Sequence, residues 1–72
     1  MNYAQNDLEK LLSMKMAFGK YQNVTLIDLP EPYVVWYYHK GLPQNEFGRL
    51  MGLLYEIKLN GLEDLVLNLR NF

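Results

Sequence analysis

Cysteine is absent from the 72 residues. Its absence removes disulfides, thiolate zinc sites and a cysteine nucleophile together. Histidine occurs once, as His39. A metal site there needs carboxylates at ligand spacing, and the nearest upstream carboxylate, Glu31, stands about two helical turns away. A helix end where His39 and Lys40 complement the backbone dipole explains the pair more simply. No metal and no cofactor are therefore expected. Charge of one sign is also scarce: Lys and Arg number 7 against 8 Asp and Glu, a net −1. A dedicated nucleic-acid binder carries a basic excess, so only a local basic patch is left open. No apolar run reaches the roughly 18 residues of a membrane-spanning helix. Asn2, Gln5, Asn6, Asp7 and Glu9 make the start of the sequence polar and acidic, unlike a signal peptide, and the chain is expected to be cytoplasmic. In that setting the sequon Asn23-Val24-Thr25 carries no meaning.

What the sequence does hold is apolar surface. Hydrophobic residues make up 50% and aromatic ones 14%, among them 6 tyrosines. The chain reads as one small domain spanning 1–72. A domain of this size buries only about 60% of its unfolded surface. The aromatic surplus must either fill the core or face a partner, and a homodimer is one way to stabilise so small a fold.

The pattern predicts about four short helices with a small two-stranded β-hairpin between the first and second, a mainly α fold. Asn6 and Glu9 resemble a capping box, and Leu8, Leu11 and Leu12 form a stripe for a helix over 7–14. Met16 and Phe18 alternate before Gly19, and residues 24–27 are β-prone. Gly19 and Asn23 between them tolerate positive φ, which suggests the hairpin. Pro30, Glu31 and Pro32 open the second helix, with Asp28 as its cap and Gly41 as its terminator. Asn45 caps a third helix over 46–59, whose Gly48 and Gly52 let another backbone pack close. Asn60-Gly61 ends it, and Leu62, Leu65, Val66 and Leu69 mark a fourth helix to about residue 68.

Spaced motifs run through these elements: Met16-x-Phe18-Gly19-Lys20-Tyr21, Leu26-x-x-Leu29-Pro30-x-x-Tyr33-x-x-Trp36, Lys40-Gly41, and Glu56-Ile57-Lys58-x-Asn60-Gly61-Leu62. Over roughly 14–67 the chain resembles a family of small uncharacterised bacterial proteins labelled putative quorum-sensing-regulated virulence factors. That label describes regulation, not a reaction. The family usually has proline at Ala17 and often glycine at Asn23; Lys20 is retained. The Phe18-Gly19-Lys20-Tyr21 turn followed by Tyr33-x-x-Trp36 is also similar to a module found beside proofreading-type exonucleases. That likeness implies a nucleic-acid-associated accessory role.

The chemistry is sparse. Gly19-Lys20 lacks the longer glycine-rich loop and the Ser or Thr of a phosphate loop, and Tyr21 follows instead. A turn glycine beside a solvated lysine explains it; a ligand-contacting turn is the alternative. Tyr33, Trp36 and Tyr37 match a base-stacking platform and equally a core-facing stripe, and a small fold favours the core. Tyr21 and Tyr38 are expected to be more exposed than Trp36. A buried Glu56 paired with Lys20 or Lys40 would be structural. With no nucleophile–base pair and no catalytic residue to nominate, no enzymatic activity is expected; it would need Glu56, His39 and Lys20 in one pocket. The sequence points to a small binding module with Phe18, Gly19, Lys20, Tyr21, Tyr38, His39 and Lys40 as its contact residues. Its expected partner is nucleic acid or a nucleic-acid enzyme. The alternative is a protein–protein adaptor or homodimer joined through the Gly48/Gly52 face.

Overall fold

The computed structural model describes residues 5–69. Among them the elements are α1 (Gln5–Ser13), a 3-10 turn (Leu26–Asp28), α2 (Glu31–Lys40), α3 (Glu46–Leu59) and α4 (Glu63–Asn68). The helix boundaries follow their sequence signals closely at α3. There Asn45 Oδ1 accepts from the Gly48 N–H at 2.9 Å, satisfying one of the donors a helix start leaves unpaired. Gly41 ends α2, its N–H donating to the carbonyls of Tyr37 and Tyr38. Two expected caps differ. Asn6 lies inside α1 and so does not cap it. Pro30, in extended conformation, precedes α2 where Asp28 was expected, because Asp28 is taken up by the 3-10 turn.

The expected two-stranded hairpin does not form; no strand is present among the described residues. Residues 14–25 fold back on themselves but meet at one isolated antiparallel bridge, Lys15 with Thr25. Met16 donates to the Val24 carbonyl and accepts from the Asn23 N–H, both at 2.8 Å, and Leu26 donates to the Met14 carbonyl at 2.9 Å. Pairing then stops because the chain coils: Asp28 donates back to Thr25 and Leu29 to Leu26. The reason lies in burial. Leu26 and Ile27 are both fully buried, whereas neighbours on a strand point to opposite faces. A tight turn sends both into one core. The expected turn conformations do hold, with φ +81° at Gly19 and +72° at Asn23.

The core is aliphatic. Leu11 from α1, Met16 from the loop, Leu26, Ile27 and Leu29 around the 3-10 turn, and Leu50, Met51, Leu54 and Ile57 from α3 are all buried. From α2 only Val34 is buried, and from α4 only Val66. α3 is the central element: α1, the 3-10 turn and α2 all pack on it. Its start is brought against residue 43 by Gly48, whose missing side chain leaves room for the Pro43 backbone; a Cβ there would lie 1.7 Å from the Pro43 oxygen. Polar pairs tie α1 to α3. Arg49 meets the buried Asp7 at 2.5 Å, and Lys10 pairs with Glu46.

Candidate aromatic surface

Because the aliphatic residues already fill the core, the aromatic ones are left around it. Tyr33, Trp36 and Tyr37 share a side of α2 at spacings of three and four residues, and the Phe18–Tyr21 turn and Phe47 of α3 close on them. The rings are continuous. Tyr21 meets Tyr33 edge-on at 4.7 Å, Tyr33 stacks on Trp36 at 5.9 Å, and Tyr37 lies 6.0 Å from Trp36. Tyr37 touches Phe47 at 5.8 Å, and Phe47 touches Phe18 at 5.7 Å. Such tilted and edge-to-face arrangements are the favoured ones for aromatic quadrupoles.

Two cations stand on this ring cluster. The Lys40 ammonium lies 4.9 Å from the Trp36 ring centroid, and that of Lys20 lies 5.5 Å from Tyr21. Both distances fall within cation–π range. Lys40 follows Trp36 by one helical turn, so the geometry is local to α2. Lys20 is carried by the turn that Gly19 and Asn23 shape. Burial, and after it the neighbouring Tyr37 and Tyr21, push the Tyr33 phenol above its ordinary pKa.

The structure therefore brings Phe18, Lys20, Tyr21 and Lys40 to one aromatic surface and sets Tyr38 and His39 elsewhere. Tyr38 stacks on Tyr55 of α3, with centroids 3.7 Å apart and planes within 3°. His39 stands edge-on to both rings. Gly19 shapes the turn that carries Phe18, Lys20 and Tyr21. The expected order of exposure is reversed: Trp36 is 54% exposed against 41% for Tyr38, and Tyr21 is half-buried. Sequence spacing could not show this, since one side of α2 cannot say whether its neighbours have room for an indole. Spacing places Phe47 on the apolar face of α3 and Tyr55 at its margin, which does not show that either meets a ring of α2.

The charged residue buried on α3 is Lys58, not Glu56, which lies on the surface. The Lys58 ammonium donates to the Ile27 carbonyl at 3.2 Å and to Glu63 at 3.0 Å. It joins the 3-10 turn, α3 and the start of α4. Its position four residues beyond Leu54, on the apolar stripe, was the available sequence signal. Elsewhere, the hydrogen bond from Lys10, then the charge of Lys10 and of Arg49, hold the Glu46 carboxyl below its ordinary pKa. No helix among the described residues is long and apolar enough to cross a membrane.

A family model described as "Putative quorum-sensing-regulated virulence factor" matches residues 4–69. The "Uncharacterized protein YpeB" of Escherichia coli strain K12 is 40% identical over 63 residues, which cover 86% of this chain and 88% of that protein. Its counterpart in Escherichia coli O157:H7 matches to the same extent. No solved structure matches significantly.

Proposed function

The chain belongs to the family described as putative quorum-sensing-regulated virulence factor, and since that description names neither ligand nor reaction, we propose from the aromatic surface that it is a non-enzymatic binding module for unpaired nucleic acid. One observation carries this reading: an exposed indole, Trp36, has the ammonium of Lys40 over its ring, on a ring cluster that also holds Lys20. An unpaired base stacks on an exposed aromatic face with about 1–3 kcal/mol. A base taking the face that Lys40 covers displaces that ammonium, and both lysines are then free to pair with phosphates of the strand. The likeness of the Phe18–Tyr21 turn to modules beside proofreading exonucleases supports the same class of partner. With a net charge of −1, long-range attraction is small, so binding is local and its salt dependence is set by the two phosphate contacts of Lys20 and Lys40.

Fluorescence anisotropy of labelled single- and double-stranded oligonucleotides tests the proposal. Single strands bind better at low salt, and Trp36→Ala weakens them roughly 5- to 150-fold, as loss of one stacked base requires. Lys20→Ala and Lys40→Ala each shallow the salt dependence by about one phosphate contact. No binding at low salt, or Trp36→Ala binding like the wild type, refutes it.

A second reading, self-association, is favoured by the exposed Leu59, Leu65 and Leu69 at the end of α3 and on and after α4. The Gly48 part of the face first expected to serve as the interface is filled by the chain's own Pro43. Sedimentation showing a monomer at high concentration removes this second reading.

A further inference from the structure

Tyr38 and Tyr55 differ from every other tyrosine pair among the described residues. Tyr21 with Tyr33 and Tyr33 with Tyr37 meet edge-on, at interplanar angles of 61° and 63°. Tyr38 and Tyr55 lie face to face, 3.7 Å apart and 3° from parallel. Ring carbons of one are in van der Waals contact with ring carbons of the other. Tyr38 is 41% exposed, so the pair is open to a reagent in solution. Tyr38 belongs to α2 and Tyr55 to α3, and a bond between them would tie these two helices together. The chain has no cysteine to do so.

We propose that Tyr38 and Tyr55 form a site of oxidative modification, an intramolecular dityrosine made by a peroxidase-type one-electron oxidant with hydrogen peroxide. Each phenol gives up one electron and one proton, leaving two phenoxyl radicals whose spin is shared with the carbons ortho to oxygen. An ortho carbon of Tyr38 bonds to an ortho carbon of Tyr55. The hydrogens on those two carbons then move to the oxygens and restore both phenols. The protein loses two hydrogens in all, and one hydrogen peroxide is reduced to two waters. Face-to-face rings already hold their π faces together, so the first carbon–carbon bond forms from the stack. The rings then swing out about that bond as the two carbons lose their hydrogens and become planar again; edge-on rings must turn before any bond can form. The link closes a loop between α2 and α3 and restricts the unfolded chain as a disulfide would.

The test treats the dilute protein with a haem peroxidase and limiting hydrogen peroxide, then isolates the monomer. The expected product has the dityrosine fluorescence, a mass lower by two hydrogens, and a cross-linked peptide pair joining Tyr38 to Tyr55. Its thermal midpoint lies above that of untreated protein. Tyr55→Phe removes the monomeric cross-link, whereas Tyr33→Phe keeps it. In concentrated urea the Tyr38–Tyr55 preference is lost, because it comes from the fold. Cross-links that map to other pairs, or that form only between molecules, overturn the proposal. Oxidation that yields no monomeric dityrosine overturns it too. The mapping on wild-type protein decides the matter whether or not Tyr55→Phe folds well.

Discussion

Gly48 and Gly52 stand one turn apart on the same helix, and by helix propensity alone replacing either with alanine gains about 1 kcal/mol. The tertiary structure predicts opposite signs. A Cβ at Gly48 falls 1.7 Å from the Pro43 oxygen and 2.8 Å from its carbonyl carbon, both backbone atoms. Ordinary contact needs about 3.5 Å, so α3 and residue 43 would have to part by more than about 1.5 Å. Overpacking of this kind costs about 1–3 kcal/mol. The movement also disturbs the bond from Asn45 Oδ1 to the Gly48 N–H, a cap worth about 1 kcal/mol. After the propensity gain, Gly48→Ala loses about 2 kcal/mol, a large share of the roughly 4–11 kcal/mol expected for a chain this long. At Gly52 the added methyl meets only Leu42 Cδ1 at 3.4 Å, the movable end of a side chain. Gly52→Ala therefore keeps most of the propensity gain. Urea unfolding at a fixed pH measures both, and thermal midpoints should move in opposite directions, down by about 10 °C and up by several degrees. A Gly48→Ala protein as stable as the wild type would refute the reasoning, since it would mean that residue 43 does not sit where the close approach requires.

Glu63→Ala should cost more than Lys58→Met. The first leaves a buried ammonium with only the Ile27 carbonyl, and the second leaves a partly exposed carboxylate that water can serve; denaturation of the two variants ranks them. The Tyr33 phenol binds its proton more tightly folded than unfolded. Its contribution is complete below the unfolded value of 10.0 and is lost as pH rises through the higher folded value. Stability should fall above about pH 10, and less steeply in Tyr33→Phe, as urea midpoints between about pH 9 and 11 will show. Glu46 has the opposite linkage. Its lowered carboxyl contributes above pH 4.5 and stops contributing as pH falls through the folded value, so Glu46→Gln should lose part of the acid sensitivity.

Local signals proved reliable where one residue type answers one backbone need. Asn45 caps α3, Gly41 closes α2, and Gly19 and Asn23 take the positive φ their turn demands. The aromatic surface was legible in part. The Phe18–Tyr21 turn and the end of α2 do share a surface, through Phe47, Tyr37 and Tyr33. In sequence Tyr38 is next to Tyr37 and His39 is next to Lys40, yet neither shares that surface. One residue along a helix is about 100° around it, which was enough to carry them to Tyr55.

By itself the sequence determined the four helices, both ends of α3, the end of α2 and the turn, because capping, proline placement and apolar spacing act over a few residues at a time. Only the tertiary structure decided that Leu26 and Ile27 coil into one core rather than alternate along a strand. It also decided that Lys58 is the buried charge. The same competition for interior volume set the fate of the aromatic residues. Aliphatic side chains from α1, the 3-10 turn and α3 fill a small core completely, so the rings of α2 surround it and Trp36 faces solvent beside Lys40.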